Sequence, residues 1–158
     1  MNAPEVQIHA SFYKFVPLAD PDAVAEALRD VTRKVMGSII VAEEGINGVM
    51  AGSAAELTAA EQALQHDPRF HGAFTDMVFK RSPCRTRPFF KMKIRRKREI
   101  VAFGIDGITG LTDNRAAANH VPPEQWRELI QRDDVVVLDN RNSFEYRLGH
   151  FDHAVDPK

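Results

Sequence analysis

The sequence predicts an α+β fold: a ferredoxin-like βαββαβ antiparallel sheet with two helices on one face, followed by a truncated segment of α/β character. Three observations predict it. Residues 7–15 alternate in side-chain direction as a strand does. Two helical stretches with their own start signals bracket a β-branched, glycine-punctuated pair of apolar runs. Near the end, Val135 to Leu138 is continuously apolar. With 158 residues, 44% of them hydrophobic, the chain is long enough for one full domain and part of a second.

From Gln7 to Phe15, Ile8, Ala10 and Phe12 point one way and Tyr13 and Phe15 the other, which makes a first strand. Asp20-Pro21 supplies an N-cap and a first-turn proline, and Val24, Ala27, Leu28, Val31 and Val35 follow on one helical face, with Gly37 as the stop. Ser38 to Val41 reads as a second strand, Gly45-Ile46-Asn47-Gly48 as the reversal, and Val49 to Ala51 as a third strand. Ser53 and Glu56 form a capping box for a helix that buries Leu57, Ala60 and Leu64 and ends at Asp67-Pro68. A fourth strand is expected from Phe74 to Lys80 and a further one from Glu99 to Phe103, with a break where Arg96 and Arg98 interrupt the alternation begun by Met92 and Ile94. Residues 1–104 therefore form the first domain.

Gly104, Gly107 and Gly110 punctuate a linker at 105–121. In residues 122–158, Pro122-Pro123 opens a short helix with Trp126, Leu129 and Ile130 inward, and Asp133-Asp134 breaks it. Val135 to Leu138 has the character of a strand buried on both faces of a parallel sheet, and a helix led by Asn142 or Ser143 carries Phe144 and Leu148. So short a segment cannot cover both faces of a parallel sheet, so the second domain is expected to be truncated, with self-association through it as one consequence.

Charge is concentrated in one place. Lys80 to Arg98 holds ten of the 21 basic residues and no carboxylate, which leaves eleven basic against 22 acidic residues elsewhere, although the formal net charge is only −1. The ten are Lys80, Arg81, Arg85, Arg87, Lys91, Lys93, Arg95, Arg96, Lys97 and Arg98. Charge runs are more often solvated faces than sites. Here ten uncompensated cations repel one another, which favours a polyanion partner. Phe89 and Phe90, interleaved with them, are expected in the core rather than stacked on bases.

Other classes are excluded. The single cysteine, Cys84, permits no internal disulfide framework, no apolar run approaches the roughly 20 residues of a membrane-spanning helix, and Met1 to Glu5 does not read as an export signal. A cytoplasmic protein with no membrane and no DNA partner is the expectation.

Two blocks carry a resemblance. Val41-Ala-Glu-Glu-Gly-Ile-Asn-Gly48, with Pro88 to Arg95 and Glu99-Ile-Val101, resembles the amino-terminal domain of the bacterial rhodanese-like tRNA uridine hydroxylase family. Val137-Leu-Asp139-Asn-Arg141, with Glu145-Tyr146 and Gly149-His150-Phe151, is similar to the start of the rhodanese domain that follows in that family. The resemblance implies oxygen-dependent 5-hydroxylation of the wobble uridine of tRNA, with molecular oxygen as co-substrate and no other cofactor identified. It places the catalytic cysteine in a rhodanese loop that lies beyond Lys158, where a thiolate adding at carbon 6 of uracil would activate carbon 5. No catalytic residue is then expected in this chain, whose part is capture of the anticodon stem-loop by the ten cations. Asp139, Arg141, Glu145 and His150 would support the rhodanese site. One departure stands out: the family's G-H-x-x-G-A has His153 at the second glycine, where a turn often needs a residue without Cβ.

The remaining candidates have plainer explanations. Glu43 and Glu44 suggest paired carboxylates or a magnesium site, yet exposed turn residues explain them better. Gly45, Asn47 and Gly48 are most simply explained by positive φ or close backbone approach, with structural support of a binding surface as the alternative. Cys84, among Lys80, Arg81, Arg85 and Arg87, has surroundings that favour thiolate, but no base or partner thiol accompanies it. His150 and His153 have H-x-x-H spacing without further ligands, so no metal site is expected. Arg141 and Glu145, four apart, are expected to pair. Two rival functions remain: a rhodanese-type sulfurtransferase with a partner-docking amino-terminal domain, and a non-enzymatic RNA-binding module.

Overall fold

The computed structural model describes residues 7–101, 104, 109–111 and 121–157, which fall in two compact units, Met1–Asp113 and Asn114–Lys158. Among the described residues, no helix is long and apolar enough to cross a membrane.

The first unit runs β1 (Gln7–Phe15), α1 (Pro21–Val31), β2 (Met36–Ala42), β3 (Gly45–Gly52), α2 (Ala54–His66), β4 (Lys80–Cys84) and β5 (Met92–Arg96). The strand order is β4-β1-β3-β2-β5. The first four strands and two helices are the ferredoxin-like arrangement the sequence predicts. β5 lies parallel to β2, so the sheet is mixed rather than wholly antiparallel.

Both helices cover one face. Asp20 caps α1 by accepting from the Ala23 amide at 2.9 Å, and Val24, Ala25, Ala27 and Leu28 are buried. The Ser53–Glu56 capping box opens α2, and its hydrogen bonds hold the Glu56 carboxyl below the usual range. Leu57, Ala60 and Leu64 meet Ala10, Phe12, Ile39, Val41, Ile46 and Met50 from the sheet in a single core. The opposite sheet face carries no helix among the described residues, and it presents the other parity: Ser11, Tyr13 and Phe15 of β1, Asn47 and Val49 of β3, Ser38 and Ile40 of β2.

Four expected boundaries moved. α1 ends at Val31, where buried Thr32 caps it and donates to the Leu28 carbonyl, while Gly37 lies inside β2. The reversal between β2 and β3 is Glu43-Glu44, because Ala42 pairs with Gly45, and Gly45 to Gly48 are strand residues. Phe74 to Lys80 is not a strand: a 3₁₀ turn at Pro68–Phe70 and further turns put Phe70, Phe74 and Met77 all into the core, a demand that alternation cannot meet. β4 therefore begins only at Lys80. The last strand is Met92–Arg96, not Glu99 to Phe103: Glu99 to Val101 are irregular, and Ala102 and Phe103 lie outside the described residues.

The second unit holds α3 (Pro123–Leu129) and α4 (Ser143–Leu148), with Asn142 and Glu145 forming a capping box. Val135 to Leu138 is not a strand buried on both faces. Only Leu138 and Val155 bridge, in parallel; Val137 is buried, and Val136 and Leu138 are exposed.

Candidate nucleic-acid interface

A run continuous in sequence is divided by the topology. Lys80 and Arg81 lie on β4 at one edge of the sheet, and Lys93, Arg95 and Arg96 lie on β5 at the other. Four strand spacings of about 4.8 Å separate the two edges, roughly 19 Å. The loop 85–91, with Arg85, Arg87 and Lys91, joins them.

Alternation then sorts the cations. Arg81 and Arg96 share the parity of the core residues and turn towards the helices, where carboxylates hold them. Arg81 makes a two-pronged pair with Glu61 of α2 at 2.6 and 2.9 Å, which raises its pKa, and it also donates to Thr58. Arg96 pairs with Glu43 at 3.2 Å and approaches Asp22 at 3.9 Å. Arg87 rests its guanidinium on the Met36 sulfur. Lys80, Lys93 and Arg95 have the opposite parity and flank the open face. Among the described residues, no carboxylate pairs with Lys80, Arg85, Lys91, Lys93, Arg95 or Lys97. Arg98, beyond β5, has partners of its own.

Across the open face, register places Lys80, Ser11, Val49, Ser38 and Lys93 in one row, and Tyr13, Asn47, Ile40 and Arg95 in the next. Tyr13 is 63% exposed, and its ring meets Phe15 edge-on at 6.1 Å. An aromatic ring between two cationic margins suits an unstacked base and its phosphates. Phe89 and Phe90 do not fill the core as expected: Phe89 is half-buried, and Phe90, in the loop, is 90% exposed.

Glu43 is exposed, as a turn residue should be, but Glu44 is not: it is 5% exposed. Its carboxylate accepts from the Ile100 amide at 2.7 Å and the Gly110 amide at 2.8 Å, so two backbone donors satisfy it. This fastens the chain after β5 to the β2–β3 turn. Gly110 thereby lies so close to Phe15 that a Cβ on it would fall 1.9 Å from the ring. Nothing in the charge pattern marks Glu44 for this role. Gly45 has φ +132° and would place a Cβ 1.9 Å from the Lys14 carbonyl oxygen, while Gly48 lies under Phe12 and Ile39.

Cys84 is half-buried on β4, opposite Gln7, and forms no disulfide. Among the described residues, no group of three or more His, Cys, Asp or Glu could hold a metal ion.

In the second unit, Arg141 pairs with Asp139 at 2.6 Å, not with Glu145. It also donates to the Gly149 carbonyl, and its hydrogen bonds hold the Asp139 carboxyl at about 2. Glu145 is taken by the cap, accepting from Asn142. His150 donates from Nδ1 to the Tyr146 carbonyl at 2.9 Å and stacks on that ring at 3.9 Å. Asp139, Arg141 and His150, together with Trp126, Val137 and Phe151, line a cavity of roughly 640 Å³. His153 takes the left-handed conformation at φ +63°.

Residues 7–100 match the family model described as the UPF0176 acylphosphatase like domain. The chain is similar to the tRNA uridine(34) hydroxylase of Nitrobacter winogradskyi, 40% identical over 151 residues that make up 94% of this chain and 58% of that protein. It is similar to the protein of the same name in Legionella pneumophila, 36% identical over 152 residues, 95% of this chain and 57% of that one. Among solved structures, it is similar to the dark state of BlrB, a BLUF protein, with a TM-score of 0.48 and 18% identity, covering 80% of this chain and 94% of that chain. The chain spans a little over half the length of these two hydroxylases. Since the family model takes in more than half of the chain, and the resemblance read from the 41–48 and 88–101 blocks agrees with it, the chain belongs to the UPF0176 acylphosphatase like domain family.

Proposed function

We propose that this chain captures tRNA for hydroxylation of the wobble uridine at carbon 5, holding the anticodon stem-loop on the open sheet face. The observation that carries the reading is the arrangement of that face: an exposed Tyr13 framed on both margins by cations without carboxylate partners, Lys80 on one side and Lys93 and Arg95 on the other. The relatives' name supports the identity of the polyanion. Residues 122–158, with Asp139, Arg141, Glu145 and His150, would begin the rhodanese domain. Its loop cysteine would carry the chemistry, with molecular oxygen as the oxidant, in the cytoplasm.

Titrating the chain with tRNA at two salt concentrations tests capture. Binding that weakens steeply with salt is expected, and absent or salt-independent binding would overturn the reading. In the full-length protein, replacing the loop cysteine by serine should abolish 5-hydroxyuridine in tRNA digests. Undiminished product would refute the assignment, and sulfur transfer without hydroxylation would favour the sulfurtransferase.

A further inference from the structure

Pairing between β4 and β1 covers only Gln7 to Ser11 of β1, because the turns up to residue 76 and the irregular backbone of 77–79, with Phe74 and Met77 buried, delay the start of β4 to Lys80. Beside Tyr13 the edge of β1 therefore has no strand neighbour, and a recess of roughly 330 Å³ opens there. That volume is at the lower end of the range for small-molecule sites, about 300 to 1,000 Å³. Tyr13, Asn47, Ser11, Lys80 and the Lys14–Asp76 pair line it. Asp76 adds little net repulsion for an anion, since the Lys14 ammonium 2.7 Å away offsets its charge. Tyr13 and Asn47 are direct partners across β1 and β3, so their side chains stand side by side. Among the described residues, the Asn47 amide has no hydrogen-bond partner, although the residue is half-buried. It offers one acceptor and an amino donor next to an aromatic face.

We propose that this recess takes one unpaired nucleotide of the bound RNA, with the base stacked on Tyr13, the base edge read by the Asn47 amide and the phosphate met by Lys80. The inference rests on the tRNA-capture reading and names within it a specificity-determining pair. The adjacent donor and acceptor of a carboxamide complement the Watson–Crick edge of a single base, which is open to reading only where the base is unpaired. Tyr13 supplies affinity for any base, and Asn47 supplies the choice among bases.

The test uses the intact chain and fluorescently labelled anticodon stem-loop RNAs in which each loop base in turn is made abasic or exchanged. Wild type, Tyr13→Phe, Tyr13→Leu and Asn47→Ala are compared after their thermal unfolding shows them folded. One abasic position should weaken wild-type binding about five- to 150-fold, the size of one base–aromatic stack. Tyr13→Leu should lose a similar factor on the intact loop and become insensitive to that abasic position, while Tyr13→Phe keeps both. Asn47→Ala should keep the abasic sensitivity and level the preference among bases there. A stem-loop that binds with salt dependence but has no position coupled to Tyr13, or a base preference unchanged in Asn47→Ala, overturns this proposal and leaves capture standing. A wild-type chain that does not bind the stem-loop removes both.

Discussion

The salt dependence of tRNA binding differs according to whether the cationic run acts as written in the sequence or as sorted by the fold. If all ten cations each neutralised one phosphate, the slope of log affinity against log salt would be about −7 to −9, at about 0.7 to 0.9 per phosphate. The fold withdraws Arg81 to Glu61 and Arg96 to Glu43, settles Arg87 on Met36, and gives Arg98 partners, which leaves six. The expected slope is therefore about −4 to −5, a loss of about 300- to 2,000-fold in affinity between about 50 and 200 mM salt rather than more than about 10,000-fold. Fluorescence anisotropy with labelled tRNA over several salt concentrations measures it directly. Lys93→Ala with Arg95→Ala should reduce the slope by about 1.4 to 1.8, and Arg81→Ala should leave it unchanged. A slope of about −7 or steeper would show that the Arg81 and Arg96 pairs open to reach phosphate, refuting the sorting by strand parity. One shallower than about −2 would show that the run is not the contact.

Glu44→Ala removes two hydrogen bonds to a charged acceptor and should cost about 3 kcal/mol in urea denaturation, with Glu44→Gln costing about half because one acceptor oxygen survives. Unchanged exchange rates at the Ile100 and Gly110 amides in Glu44→Ala would rule this out. Gly45→Ala should cost about 2 to 4 kcal/mol, since its Cβ meets a backbone oxygen at 1.9 Å and at positive φ, and more than Gly48→Ala, whose two nearest neighbours are side chains and whose nearest backbone oxygen, of Ser38, is 3.0 Å away. Equal losses for the two glycines would contradict that ranking. Asp67 is held at about 2 by its hydrogen bonds to Arg69, below an ordinary value near 3.9. A depressed carboxylate stabilises the fold above its unfolded value and ceases to as pH falls through its folded value. The stability gap between wild type and Asp67→Asn should therefore be constant above about pH 5 and close between about pH 4 and 2. A gap that persists to pH 2 would mean the pair is not formed.

The element order and the two capped helices were legible because their signals are local: Asp20-Pro21, the Ser53–Glu56 box, and the alternation of Gln7 to Phe15. What was not legible depended on tertiary demand. Phe74 and Met77 belong to a stretch, Phe74 to Phe79, that reads as a strand, but three residues apart they would face opposite ways in one, and a turn presses both into the core. Gly45 to Gly48 reads as a reversal, yet Gly45 is glycine because the Lys14 backbone crowds it, and Gly48 because Phe12 lies over it. Glu44 reads as a solvated turn residue because its two partners, Ile100 and Gly110, are more than fifty residues away in sequence. At the candidate site, the open-face parity of Tyr13 could be read from β1, but Asn47 joined it only once the turn moved to Glu43-Glu44 and set the register.

Cations on sheet edges have a second physical explanation, and the arrangement separates it from capture. Lys80, Lys93 and Arg95 lie on edge strands, and Pro83 interrupts β4, which is how edges are kept from pairing with other chains. Edge protection accounts for those residues but needs no charge in the loop 85–91, where backbone is not offered in a ladder. Yet that loop carries Arg85, Arg87 and Lys91 beside an almost fully exposed Phe90. An exposed aromatic is what edge protection avoids and what a base-stacking surface uses. Neutralising Lys93 and Arg95 tells the two apart. Weaker tRNA binding by an unchanged oligomeric state follows from capture, whereas aggregation with tRNA binding intact follows from edge protection alone.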